Sequence, residues 1–346
     1  MFNFLIVLFM NVYIIAEIGV NHNGSLDTAF ELIKSAKELG ANCVKFQTYK
    51  TENLVSISSP KASYQLKLTD NNESQFDMLK KLELSDDDFR TIRSFCTTLE
   101  IDFLSTPYNF SDVDFLDSIG VDGFKIASGQ LTELPFIRYV AKKQKKIYLS
   151  TGMSTLSDII QAVNEIRSQK NDNIVVLQCT TNYPSDINDA NLRCIETIKK
   201  SCNVEVGYSD HTTNNYSCFA SVALGACVVE KHFTLDETQK GPDHSSSANP
   251  ARFKDLVEGV REVEKSLGSS LKQITKSEQN NVFGMKRSLV ITNDVNQNEV
   301  LTEQNVGFKR PMNGLHPNFY DMIIGQKVKI DIKKDTPLQL NFINFE

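Results

Sequence analysis

The sequence predicts an α/β protein, a (β/α)8 barrel of the TIM type followed by a small, mostly β domain. Three observations carry that expectation. Eight short runs rich in Val, Ile and Phe alternate with helical patterns between residues 12 and 268. The runs are nearly continuous in apolar character, as a parallel sheet covered by helices requires. Beyond Gly268 the helical periodicity stops and short β-type runs take over. A chain of 346 residues has room for one large core and one small one, since single cores stop growing near ~250–300 residues.

The predicted strands are VYIIAEI (12–18), CVKFQT (43–48), IDFLST (101–106), GFKIAS (123–128), KIYLST (146–151), IVVLQC (174–179), VEVGYS (204–209) and CVVEKH (227–232). Ser25 precedes a helix with apolar spacing at Leu26, Phe30, Ile33, Ala36 and Leu39 that stops at Gly40. Ser85 opens a helix to about Leu99, Ser154 or Thr155 caps the next clear one, and Arg252 to Gly268 supplies the last. Eight such units match a closed barrel in number and length. An open doubly wound sheet is the competitor, but no GxGxxG follows the first strand. The polar segment Thr51–Leu84 is long for a loop after the second strand, and long loops on that face usually serve function. The domains expected are a barrel over residues 10–268, a linker over 269–286 without a helix of useful length, and a β domain over 287–346.

Composition narrows the function. The net charge is −6, with no Lys/Arg cluster, so nothing suggests a nucleic-acid partner. Seven cysteines, none in a CxxC pair, fit a reducing, cytoplasmic setting better than a disulfide framework. Cys43, Cys179 and Cys227 sit in apolar runs and read as small core hydrophobes. The apolar start, MFNFLIVLFMN, is too short for a membrane span and lacks the features of a signal peptide. Residues 1–9 read as upstream sequence, with Met10 as the expected natural start.

A (β/α)8 barrel gathers its chemistry at the C-terminal ends of its strands. Here those ends carry Glu17, Lys45 with Gln47, Thr106, Lys125 with Ser128, Ser150 with Thr151, Thr180 with Thr181, Ser209-Asp210-His211 and Lys231-His232. Two of the five histidines, His211 and His232, end consecutive strands. They either converge on one cation, as imidazole pairs with open positions do, or hydrogen-bond within the core. Lys45 and Lys125 lie in apolar runs, where an ammonium needs an anion. That anion is either a protein carboxylate, Glu17 or Glu230, or a ligand. Ser128, Ser150 and Ser209 offer hydroxyls suited to phosphate oxygens, or else cap helices. His22, in the turn sequence NHNGS, reads as structural.

At these residues the sequence resembles the sialic acid synthase family. The motifs IAEIGVNHNGS (15–25), VKFQT (44–48), FLSTP (103–107), FKIASG (124–129), LSTGM (149–153), GYSDHT (207–212), EKHFTLD (230–236), GPDHSS (241–246) and KRPMNG (309–314) follow that family's in order. The resemblance runs from about Val12 to the C-terminus, and the last domain is similar to the family's antifreeze-like, or SAF, domain. It implies an N-acetylneuraminate synthase, a transferase condensing phosphoenolpyruvate with N-acetylmannosamine and water. It further implies His211 and His232 as ligands of a divalent metal, Mn2+ or Mg2+. Lys45, Lys125, Ser128, Ser150 and Ser209 would hold phosphoenolpyruvate, and Glu17, Gln47, Tyr183 and Asp243 would face the sugar. Arg310 would reach the N-acetyl group in the other subunit of a domain-swapped homodimer.

Two positions depart from the pattern. Gln130 stands where family members acting on N-acetylmannosamine commonly carry glutamate, which changes its contacts with sugar hydroxyls. Thr181 stands where asparagine is frequent. GLHPNFY (314–320) resembles the pseudaminic acid synthase branch, whereas SPKASYQ (59–65) and GPDHSS resemble the sialic and legionaminic branch. A legionaminic or pseudaminic acid synthase, using a diacetamido-trideoxy hexose, is therefore the alternative. A synthase acting on a sugar phosphate would need further basic residues that the sequence does not show. An ice-binding role is disfavoured because GFKRPMNGLHP is charged and irregular.

Overall fold

The computed structural model describes residues 11–61, 66, 69 and 73–345. The proposed start at Met10, and part of SPKASYQ, lie outside the described residues. The chain divides into two compact units at Gly268/Ser269.

In the first unit eight parallel strands form one sheet in the order β3-β2-β1-β8-β7-β6-β5-β4. They are β1 Tyr13–Gly19, β2 Cys43–Thr48, β3 Asp102–Pro107, β4 Gly123–Ile126, β5 Lys146–Ser150, β6 Ile174–Cys179, β7 Glu205–Asp210 and β8 Val228–His232. The two ends of that order, β3 and β4, lie side by side, so the sheet is a nearly closed barrel. The expected fold class is the one observed.

Two-residue alternation sorts the side chains. Ile14, Ala16, Ile18, Val44, Phe46, Phe103, Phe124, Ile147, Val176 and Val229 point outward and pack with the helices in the main core. Ile15, Cys43, Leu104, Tyr148, Val175, Leu177 and Val228 form a separate layer inside the barrel. That layer closes the lower barrel, and the next inward position on each strand carries the polar set described below.

Helix boundaries follow their caps. Ser25 accepts the Thr28 N–H and opens Leu26–Glu38. Ser85 with Asp88, and Thr155 with Asp158, form reciprocal capping boxes for Asp86–Thr98 and Leu156–Ser168. Thr155 rather than Ser154 is therefore the cap. Helix Pro250–Leu267 ends where Gly268 takes φ +52°.

The insertion after β2 is not purely loop. Helix Thr51–Leu54 and helix Gln75–Leu82 turn Leu54, Met78, Leu79 and Leu82 onto Val20, Tyr49 and Tyr108, forming a small apolar cluster at the rim. Glu83 accepts the Thr51 N–H at 3.0 Å and its hydroxyl at 2.9 Å, closing the insertion on itself.

In the second unit β9 (Ser288–Ile291) pairs antiparallel with β10 (Val306–Lys309), and β11 (Lys327–Val328) with β12 (Ile343–Asn344). Leu289, Ile291, Val295, Leu301, Val306, Val328, Ile332 and Ile343 are among its core residues. The expected helix-free linker is corrected: Lys276–Met285 is a helix. Thr275 and Glu278 form the capping box that starts it, a local signal that works without an apolar stripe. No helix among the described residues is long and apolar enough to cross a membrane.

Candidate active site

Strand register assembles the site. Glu17 on β1 stands level with Lys45 on β2 and with His232 on β8. Ser209 on β7 stands level with Glu230 on β8 and Cys179 on β6. All point inward, one step above the apolar layer. A cavity of about 300 Å³ opens there, lined by Glu17, Lys45, Gln47, Lys125, Ser128, Gln130, Ser150, Tyr183, Ser209, His211 and His232 among others. A second well of about 310 Å³ lies at the opposite barrel end, against Tyr13, Asp102, Tyr148 and Glu205. It meets none of the strand C-termini.

Both buried lysines have protein partners. Lys45 Nζ is 2.5 Å from Glu17 Oε2 and 3.9 Å from Glu230 Oε2, and Lys125 Nζ is 2.9 Å from Glu230 Oε1. Ser209 donates to the same Glu230 oxygen at 2.9 Å, and Gln47 Nε2 donates to Glu17 Oε1 at 3.2 Å. The two carboxylates are not equivalent. Burial pushes Glu17 up to about 7; Lys45 opposes this, and repulsion from Glu230 adds to it. Burial also pushes Glu230 up, but Lys125 and Lys45 outweigh it and hold that carboxyl down at about 2. Two cations thus face one fixed anion and one titratable group, a set whose charge shifts toward positive when Glu17 takes a proton.

The histidines converge. The rings of His211 and His232 lie 5.4 Å apart, with the Tyr183 ring 4.2 Å and 5.6 Å from them. His211 Nδ1 lies 2.7 Å from the Thr180 carbonyl oxygen, which can only accept, so Nδ1 carries hydrogen and Nε2 presents a lone pair in the neutral ring. Burial opposes protonation of this ring, but the Cys179 sulfur and the Thr180 carbonyl outweigh it and hold His211 above its ordinary value. Burial, then the neighbouring His211 and Lys45, push His232 well down, so it is neutral. Its Nδ1 has no hydrogen-bond partner and lies 3.7 Å from Asp243 Oδ2. Burial raises the Asp243 carboxyl to about 6.

Two hydroxyls that line the cavity, Ser150 Oγ and Thr181 Oγ1, are buried without a hydrogen-bond partner. A buried polar atom left unpaired is costly, and here such atoms face a cavity where a ligand can satisfy them. Gly152 makes room for Thr181: a Cβ there would meet Thr181 Oγ1 at 2.0 Å. Ser128 accepts the Gly152 N–H at 3.0 Å instead of capping a helix.

Gln130 lines the cavity, but its side-chain amide is engaged with backbone. Nε2 donates to the carbonyls of Pro107 (3.2 Å) and Tyr108 (3.4 Å), and Oε1 accepts from Ala127 N–H (3.4 Å). A glutamate could not make the two donor contacts. Asp243 lies on the wall of an adjoining cavity. Arg310 is exposed, one residue beyond β10 in the second unit.

Several strand-end residues do not enter the site. Asp210 and Lys231 face outward, where Lys231 Nζ meets Asp210 Oδ2 at 2.5 Å and donates to the carbonyls of Thr212 and Asn214. His22 is structural, as expected: it is buried, and its Nδ1 accepts the Gly24 N–H at 3.0 Å. Cys179 is corrected: besides packing, it lines the cavity, its sulfur 3.6 Å from Ser128 Oγ. All seven cysteines are free. Tyr108 is a cavity residue that sequence reasoning missed.

The NeuB family matches residues 32–272, and a SAF domain matches residues 286–344. The chain belongs to the NeuB family. NeuB-family relatives align with it almost end to end. The N,N'-diacetyllegionaminic acid synthase of Campylobacter jejuni is 43% identical, over 93% of this chain and 97% of that one. The enzyme of the same name from Legionella pneumophila is 37% identical, over 95% and 94%. Among solved structures, the N-acetylneuraminic acid (sialic acid) synthetase of Leptospira borgpetersenii superposes with a TM-score of 0.70 at 31% identity, covering 78% of this chain and 90% of that one.

The residues present fit a divalent cation of limited protein ligation. Two imidazoles stand together: His211, whose Nε2 carries the lone pair when the ring is neutral, and His232, which has an unpartnered nitrogen. Among the described residues no group of three or more His, Cys, Asp or Glu is placed to hold an ion. A cation here would complete its shell from substrate and water.

Proposed function

We propose that this chain condenses phosphoenolpyruvate with a diacetamido-trideoxy hexose to give a nine-carbon sugar acid of the legionaminic type and phosphate. The observation that carries this reading is the end-to-end similarity to the C. jejuni N,N'-diacetyllegionaminic acid synthase. It displaces N-acetylmannosamine, the acceptor first expected from sequence. Gln130 agrees with the change, because it offers the acceptor neither a negative charge nor a free amide.

In the reaction the methylene carbon of phosphoenolpyruvate attacks the sugar aldehyde. The new alkoxide takes a proton, water adds at the carbon bearing phosphate, and the resulting adduct expels phosphate. Lys45, Lys125 and the hydroxyls of Ser128, Ser150 and Ser209 hold the phosphate and carboxylate. Glu17, titrating near neutrality beside Lys45, is placed to take the proton of the attacking water. Tyr183, Gln47 and Asp243 orient the acceptor. Mn2+ or Mg2+ held by His211 and His232 would supply Lewis acidity at the aldehyde oxygen. Arg310 is assigned to the acetamido group in the partner's site of a domain-swapped dimer.

The test is phosphate release from phosphoenolpyruvate with each candidate acceptor, and product mass. A higher kcat/KM with N-acetylmannosamine than with the diacetamido sugar would overturn the acceptor assignment.

A further inference from the structure

Strands β3 and β4 lie side by side in the barrel but share no hydrogen-bonded ladder, whereas every other neighbouring pair does. The cylinder therefore carries one seam. It runs into the catalytic cavity, where Thr106 and Tyr108 line one bank and Lys125, Ala127 and Ser128 the other. A ladder fixes the register and spacing of adjacent strands. Among the described residues no main-chain ladder does so here, at the level where phosphoenolpyruvate would sit.

Gln130 crosses the seam at that level. A single 3-10 turn, Ser128–Gln130, follows β4, and the Gln130 N–H closes it on the Ala127 carbonyl at 2.9 Å. The buried side chain then bonds in both directions. Nε2 donates to the carbonyls of Pro107, which ends β3, and of Tyr108 beyond it, at 3.2 Å and 3.4 Å. Oε1 accepts the N–H of Ala127, just past β4, at 3.4 Å. The carbonyls on one bank can only accept and the N–H on the other can only donate, so the link needs a group that does both. Ser128 continues the line by accepting the Gly152 N–H, past the end of β5, at 3.0 Å.

We propose that Gln130 is a positioning residue whose amide stands in for the missing ladder, setting the spacing of Thr106 and Tyr108 against Lys125 and Ser128. The inference rests on the phosphoenolpyruvate reading of the cavity, and it names what holds that pocket in shape. Gln130 acts through its neighbours, since its own amide is taken up by backbone. Spacing matters because a misplacement of about 1 Å can cost ~10²-fold in rate.

Two replacements of similar size test it. Gln130→Met removes the amide and should raise KM for phosphoenolpyruvate roughly tenfold, the scale of one or two lost hydrogen bonds, with KM for the acceptor unchanged. Gln130→Glu should behave like the wild type at the acid end of its pH profile, where a protonated carboxyl both donates and accepts. As pH rises, a carboxylate against two carbonyl oxygens should drive KM for phosphoenolpyruvate up. Glu17, Lys45, Lys125, Glu230 and both histidines line the same cavity, and Asp112 accepts the Tyr108 N–H, so the profile is read as the ratio of variant to wild type at each pH. Thermal melting checks folding. Without substrate, hydrogen exchange in segments 103–108 and 123–130 should be faster in Gln130→Met, and in Gln130→Glu increasingly so with pH relative to the wild type. Unchanged KM for phosphoenolpyruvate in both variants, a change in acceptor KM instead, or unchanged exchange at the seam overturns the proposal. Failure of the phosphoenolpyruvate reading shows separately, as no phosphate released by the wild type with any acceptor, and the exchange experiment is scored in either case.

Discussion

Lys125 on β4 and Glu230 on β8 stand on opposite walls of the barrel and meet at 2.9 Å across its interior. This pair therefore spans the floor of the catalytic cavity as well as lining it. Lys125→Ala would leave a fully buried carboxylate with only Lys45, 3.9 Å away, as its cation. Breaking one partner of a buried pair costs roughly 3–5 kcal/mol, so the variant should unfold at clearly lower urea. Turnover should fall by at least about 10²–10³-fold, the scale of losing one charged contact to a reacting group. Adding Glu230→Gln should recover much of the stability and none of the turnover. Near-normal turnover in the single variant would remove Lys125 from the mechanism.

Glu17 makes the stability of the barrel depend on pH in a defined sense. Burial raises its carboxyl to about 7 in the folded chain, above the ordinary value of 4.5. The folded state thus holds that proton more tightly than the unfolded one. Its contribution is fully present below about pH 4.5 and is lost as pH rises through 7. Glu17→Gln removes this dependence. Between pH 5 and 8 its thermal midpoint should fall less than that of the wild type, and parallel curves would show that Glu17 does not titrate there. Glu230, held down at about 2, runs the other way, its contribution lost only in strong acid.

Metal removal gives a further check. A chelator should abolish turnover, and Mn2+ or Mg2+ should restore it. Added Mn2+ at 100 times its Kd should stabilise the wild type by about 2.7 kcal/mol. A His211→Ala, His232→Ala double variant should show no metal-dependent melting shift. A shift of wild-type size in the double variant would place the ion elsewhere.

Arg310 can be tested by mixing subunits. Arg310→Ala and Lys125→Ala should each be inactive alone. If Arg310 acts in the partner's site, random mixed dimers regain about a quarter of the sites, since only one of the two sites in each hybrid is complete. If it acts within its own chain, mixing regains nothing.

Much of this was legible in the sequence, and the gaps have physical causes. Apolar runs marked all eight strands, and the polar residues ending them pointed to the cavity. The alternation within each strand was the unused signal. In VVEKH, Val229 faces the helices, so Glu230 and His232 face the cavity and Lys231 does not. The same parity separates Ser209 and His211 from Asp210. Whether a protein carboxylate or a ligand would meet Lys45 and Lys125 could not be read from spacing, because the partner of Lys125 comes from the opposite wall. Cys179 was read as core because a buried thiol looks the same in sequence whether it faces a helix or a cavity. The apolar cluster of the insertion escaped notice because its residues are scattered through a polar segment and meet only once two short helices bring them together.

The outward pair of Lys231 with Asp210 has a consequence for how the last strand finds its place. With Glu230 and His232 inside and Lys231 outside, β8 bears ionisable groups on both faces, Glu230 meeting Lys125 and Lys45 within the barrel and Lys231 meeting Asp210 outside it. A slip by one residue would bury Lys231 in the barrel and drive Glu230 in among the helices, stranding charges on both sides at once. The out-of-register cylinder is thereby penalised on both faces of one strand, so the charges that line the cavity also help to fix where the last strand pairs.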